Sequence, residues 1–233
     1  MSFGRTVHTV VNNMTKKLFL IHTVNQFMDM IYKPFGVPFA EKNKEIEIYN
    51  IMDDTLLKET LANGGITNGV CSRILNYVKS AAEAGADCAM CTCTSVNAAA
   101  KYAKKFSPIP FFNIDEPVAR ETVKNGKKIG VLATLPTSPK GTVRLLNEES
   151  KAQGKDIEIV TRVAEGAFDA LTSGDVKKHD EMVTEALFQL AKEVDTITFA
   201  QISMSKLVHD DPGVPIYKIG ASGFEEAKRI MLG

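Results

Sequence analysis

One half of this chain repeats the other. Lys16-Lys17-Leu18-Phe19-Leu20-Ile21-His22-Thr23 matches Lys127-Lys128-Ile129-Gly130-Val131-Leu132-Ala133-Thr134, a step from 16 to 127, or 111 residues. Lys44-Glu45-Ile46-Glu47-Ile48 matches Lys155-Asp156-Ile157-Glu158-Ile159 at the same offset. Ala86 to Ser95 then aligns with Val194 to Ser203 (87 to 195, 108 residues), and Ile109-Pro110-Phe111 with Val214-Pro215-Ile216 (109 to 214, 105 residues). Four matches in one order with a slowly drifting offset are the mark of a duplicated unit.

Each matched segment is a short apolar run of strand length bounded by charged or turn residues. Helical patterns lie between them. Ser72 to Ala84 carries Ile74, Leu75, Val78, Ala81 and Ala82 at helix spacing, with Gly85 placed to close the helix in a left-handed conformation. His179 to Lys192 is the counterpart, with Met182, Ala186, Leu187 and Leu190 on one face. Strands alternating with helices predict parallel sheets covered on both faces.

The expected fold is therefore α/β: two pseudo-symmetric lobes, each with a parallel four-stranded sheet flanked by helices. The expected boundaries are 17–113 plus the tail 220–233 for the first lobe and 114–219 for the second. Residues 1–16 lack the apolar core of a secretory signal and read as a loose arm or an added extension, Met14 being an alternative start.

Bulk composition narrows the partners. Lys plus Arg and Asp plus Glu number 28 each, so nothing suggests nucleic acid or an anionic membrane surface. No apolar run approaches the roughly 20 residues of a spanning helix. Cys88, Cys91 and Cys93 crowd one strand, which is poor disulfide geometry, and with Cys71 they read as reduced thiols of a cytoplasmic protein. A zinc site would want a fourth ligand from a second cluster. His8, His22, His179 and His209 are scattered and supply none, so no metal is expected.

In parallel α/β sheets, ligands sit beyond the carboxyl ends of the strands, and two lobes make the space between them the expected site. The strand ends are His22-Thr23, Asp53-Asp54 and Cys93-Thr94-Ser95 in the first half. In the second they are Ala133-Thr134, Glu165-Gly166 and Gln201-Ile202-Ser203. Cys93 stands where a strand gives way to a helix running through Val96, Ala99 and Tyr102. A thiol there is expected to have its pKa lowered from about 8.5, with the N–H groups of Thr94 and Ser95 cradling an anion. Cys71, Cys88 and Cys91 read as structural.

At these residues the chain resembles a family. From near Leu18 to the C-terminus it is similar to the aspartate/glutamate/hydantoin racemase superfamily. The resemblance is carried by Cys93-Thr94-Ser95, by Gly130-Val131-Leu132-Ala133-Thr134, by Asp115-Glu116-Pro117 before a helix, and by the duplication. It implies two lobes, no cofactor, and a small carboxylate substrate such as an amino acid, hydantoin or dicarboxylate. It also implies a cysteine from each lobe facing the reacting carbon, but the repeat places Gln201 at the second position. An amide transfers no proton near neutral pH.

A far-face acid/base then has to come from elsewhere. His22, at the first strand's end, is the leading candidate, the alternative being that it only hydrogen-bonds locally. Glu165 is another candidate. Asp53, Asp54 and His179 are candidates too, but Asp53 also suits substrate binding or capping of the following helix, Asp54 suits that capping, and His179, among Lys177, Lys178 and Asp180, reads as solvated. Thr137 and Ser138 suit either substrate binding or helix capping. Thr134 is expected to bind the substrate's second polar group, with Ser203 completing a nest around Gln201. Phe27, Met28, Tyr32, Phe35 and Phe39 are either a pocket wall or core.

Three functions remain open on this reading: an isomerase of the racemase type using Cys93, a single-thiol lyase of decarboxylase type, and a binding module without turnover. Leu135 to Gly141 has too few glycines for a nucleotide fingerprint. General symmetry arguments allow a homodimer, and nothing in the sequence requires one.

Overall fold

The computed structural model describes residues 15–136 and 138–233, so most of the expected N-terminal arm, and Thr137, lie outside it. The first half runs β1 (Lys16–His22), α1 (Val37–Lys42), β2 (Ile46–Met52), α2 (Thr55–Ala62), α3 (Asn68–Glu83), β3 (Cys88–Cys91), α4 (Asn97–Lys104) and β4 (Phe111–Asn113). A segment of π-type turns, Met28–Gly36, leads into α1. After α5 (Glu116–Asn125), the second half runs β5 (Lys128–Ala133), α6 (Pro139–Gln153), β6 (Glu158–Val163), α7 (Ala167–Thr172), α8 (Val176–Ala191), β7 (Thr196–Phe199) and β8 (Ile216–Tyr217). Helix α9 (Ala221–Leu232) ends the chain.

The strands form two four-stranded sheets of the same topology, β2-β1-β3-β4 and β6-β5-β7-β8, and every pairing is parallel. The sequence repeat reappears as register. Leu18 pairs with Ile48 in the first sheet and Ile129 with Ile159 in the second, 30 residues on in each case. One anchoring bond is repeated too. Asp87 accepts the Lys17 N–H at 2.8 Å before β3, and Asp195 accepts the Lys128 N–H at 2.9 Å before β7.

The helices end where local chemistry ends them. Thr67 caps α3 by accepting the Val70 N–H at 3.1 Å. Gly85, at φ +82°, lets the Ala86 N–H close back on the Ala81 carbonyl at 2.9 Å. Helix α9 returns to the first sheet, adding Phe224, Ala227 and Met231 to the core that holds Leu18, Leu20, Met90 and Cys91. Phe27 and Phe39 join that core as well, with Tyr32 and Phe35 packed against it, so these aromatics hold the lobe together. Among the described residues, no helix is long and apolar enough to cross a membrane.

Candidate active site

Cys93 closes the β3 segment with extended backbone and leads into a short 3-10 turn, Thr94–Val96, before α4 starts at Asn97. Its side chain is 2% exposed. Burial pushes the thiol up from its ordinary value, against the opposing pull of the Thr23 hydroxyl, the Ser95 and Val96 N–H groups and the Ser95 hydroxyl. The lowered pKa expected at a helix mouth is thus not what the fold gives. The 3-10 turn sets the first residue of α4 four positions beyond the sulfur, and desolvation outweighs the donors. Thr94 is half-buried and Ser95 exposed.

The second half holds an equivalent pair. Thr134 and Gln201 occupy the positions of Thr23 and Cys93, and they bond to each other. The Thr134 N–H donates to Gln201 Oε1 at 2.8 Å, and Gln201 Nε2 donates to Thr134 Oγ1 at 2.9 Å. In the first half the Thr23 hydroxyl is buried with no nitrogen or oxygen partner, and acts on the sulfur instead. The repeat therefore places a threonine beside Cys93 in one half and beside Gln201 in the other. Ser203 is half-buried in the 3-10 turn Ile202–Lys206 that follows Gln201.

The other candidates are engaged elsewhere. His22 is fully buried, with Nδ1 2.9 Å from Thr92 Oγ1 and Nε2 2.8 Å from Asn50 Oδ1. Burial lowers its pKa, the Asn50 bond opposing. Asp53 accepts from the Thr55 N–H at 2.9 Å, Tyr77 at 2.8 Å and Arg73 at 3.3 Å. Burial pushes its carboxyl up, but these bonds outweigh it and the net direction is down. Asp54 pairs with Lys58, and Ser138 caps nothing with its side chain. Glu165 is exposed.

His179 is not solvated, as its charged neighbours suggested: its side chain is 2% exposed. It lies one helical turn before Val183, on the buried stripe with Ala186, Leu187 and Leu190. All four cysteines are unpaired, and among the described residues no three His, Cys, Asp or Glu side chains gather to hold a metal.

The sequence reading missed a buried polar cluster at Asn97, Asn113 and Asp115. Asn97 Nδ2 and Asn113 Nδ2 donate to the Asp115 carboxylate at 3.1 and 2.6 Å. Arg144 of α6 donates to Asn97 Oδ1 from the other half of the chain. The signal was present in Asn113 and Asp115 flanking a single buried isoleucine at the end of β4.

A duplicated parallel α/β protein with paired sites at the ends of its third strands is the class these features define. The chain belongs to the Asp/Glu/hydantoin racemase family, whose sequence pattern matches residues 42–227. Its fold is similar to that of a provisionally assigned Asp/Glu racemase of Yersinia pestis, with 19% identity and a TM-score of 0.72 over 94% of this chain and 100% of the other. An aspartate racemase homologue of Pyrococcus horikoshii OT3 has 17% identity and a TM-score of 0.68, over 93% and 98% of the two chains. Unliganded arylmalonate decarboxylase has 14% identity and a TM-score of 0.56, over 94% of each chain. No curated protein matches the sequence.

Proposed function

We propose that this protein transfers a proton at the carbon alpha to a carboxylate of a small acid, with Cys93 as its single acid/base thiol. The observation that carries this reading is that the repeat sets a buried thiol, Cys93, in one half at the position where the other half has Gln201, an amide that is neither acid nor base near neutral pH. Burial keeps Cys93 protonated near neutral pH, which makes it a donor at rest and suits one-sided delivery to a carbanion.

A decarboxylation of a malonate-type acid has that form. The bond from the α-carbon to the leaving carboxylate breaks and CO2 departs. The electron pair remains on the α-carbon as an enolate, and the Cys93 S–H gives its proton to that carbon. The thiolate left behind is held by the Thr23 hydroxyl and the Ser95 and Val96 N–H groups, then recovers a proton from water. In this reading Thr94, Ser95 and Ser203 bind the remaining carboxylate, the substrate entering between the lobes.

An isomerase is the second reading, favoured by the family itself. It needs an acid/base on the far face, and His22 is the residue to test. Incubating 2-substituted malonates and 2-substituted acids in D2O separates the two. CO2 release with one deuterium retained marks the lyase, and exchange at the α-carbon without CO2 marks the isomerase. Full turnover by Cys93→Ala would overturn both.

A further inference from the structure

A cavity of about 380 Å³, not lined by Cys93, opens where α4 and the turn after β4 meet α6 of the second half. That volume is within the range of small-molecule sites. Asp115, Asn113 and Asn97 line it, all at least nine-tenths buried, and Lys101, Arg144 and Leu145 are among its walls.

The hydrogen bonds in this cluster have a fixed direction. A carboxylate only accepts, so each asparagine must turn its NH2 toward Asp115. Asn97 Oδ1 then receives Arg144, whereas Asn113 Oδ1 is left buried without a partner. Asp115 has no cation in contact with it. Of the wall cations, Lys101 pairs with Glu148 at 2.8 Å, Lys104 with Glu116 at 2.6 Å and Arg144 with Glu148 at 3.0 Å, and Lys105 makes no contact with Asp115.

A buried carboxylate without a cation and an amide oxygen without a donor both carry a desolvation cost that a cationic donor would relieve. Acids and bases around the cavity balance, with Asp115, Glu116, Glu148 and Glu149 against Lys101, Lys104, Lys105 and Arg144, so a cation is not repelled overall. We propose that this cavity binds a small primary ammonium compound, the α-ammonium of an amino acid being the first class to consider. Asp115 serves as counter-ion and Asn113 Oδ1 as the second acceptor. Cys93 is not part of its lining, and the proposal does not depend on the chemistry assigned there.

Calorimetry and thermal shift with the twenty amino acids, ethanolamine and putrescine, each beside its N-acetylated form, test the proposal on the full chain. At least one free amine is expected to bind and its acetylated form to fail. Asp115→Asn should weaken binding roughly thirtyfold or more, the scale of losing one partner of a buried charge pair. Because Asp115→Asn disturbs the core, Ala152→Trp supplies a second probe. Ala152 is exposed on the cavity wall, so the indole should block the mouth without unfolding the chain. Cys93→Ala should bind as wild type does. If no amine binds, if binding survives Ala152→Trp unchanged, or if Cys93→Ala abolishes it, the proposal is overturned.

Discussion

Gln201 and Thr134 hold each other across the end of the second sheet, with Gln201 Oε1 2.8 Å from the Thr134 nitrogen and Gln201 Nε2 2.9 Å from Thr134 Oγ1. The same two positions in the first sheet hold Thr23 and Cys93. The duplicated scaffold thus has a buried thiol in one half where the other has a hydrogen-bonded amide brace.

Replacing that brace has two expected effects. Gln201→Cys removes the acceptor of the buried Thr134 N–H and should cost about 1–3 kcal/mol. At roughly 2–4 °C per kcal/mol for a chain of this size, the melting temperature falls by several degrees. The variant should also gain exchange at the α-carbon on both faces of a bound 2-substituted acid. Scanning calorimetry and chiral chromatography read the two effects. A variant as stable as wild type would show that the brace carries no weight.

The duplication was legible because apolar runs and their bounding charges survive as sequence, and strand register follows from them. Lys17 and Asp87, or Lys128 and Asp195, are spaced by the fold and visible in the string. Burial was less legible. His179 sits among charged residues in sequence, but its helix phase matches Val183 and Leu187, and phase decided its environment. The state of Cys93 was hidden for a related reason, since a 3-10 turn and full burial leave no trace in local composition. The contact between Arg144 and Asn97 joins the two halves and has no local signal at all.

Alkaline stability should depend on the buried thiols. Burial pushes Cys88 up to about 12, and Cys91 and Cys93 are also raised. Below the ordinary thiol value of 9.0, folded and unfolded chains are both protonated and the contribution is fully present. Above it the unfolded chain ionises first, and each such thiol costs about 1.4 kcal/mol per pH unit until its folded value is reached. Urea midpoints at pH 8 and pH 10 should therefore fall more steeply for wild type than for Cys88→Ala. Parallel slopes would contradict the assignment.

At the acid end Asp87 acts in the opposite sense. Burial raises its carboxyl, but the Lys16 ammonium, 2.9 Å away, and the Lys17 N–H outweigh this and lower it overall. Its contribution is present above the unfolded value and is lost as pH falls through the folded one. Asp87→Asn should cost about 1–2 kcal/mol at pH 7 and flatten the decline of stability below pH 4, as followed by circular dichroism.

Gly126 tests the junction between the two halves. In the second half α5 delivers the chain directly into β5, and Gly126 is the hinge, its N–H bonded to the Thr122 carbonyl at 2.8 Å. A Cβ on Gly126 would stand 2.1 Å from Thr196 Cγ2 and 3.1 Å from the Thr122 carbonyl oxygen, so β7 or the end of α5 must move. Gly126→Ala should cost about 1–3 kcal/mol, the usual scale of overpacking. Gly65→Ala is the control, because a Cβ there meets nothing within 4 Å. It should be neutral or stabilising by about 0.4–1 kcal/mol through the unfolded chain. Thermal melts of the two variants should fall on opposite sides of wild type, and a Gly126→Ala melt at or above wild type would show that the junction has room the structure denies it.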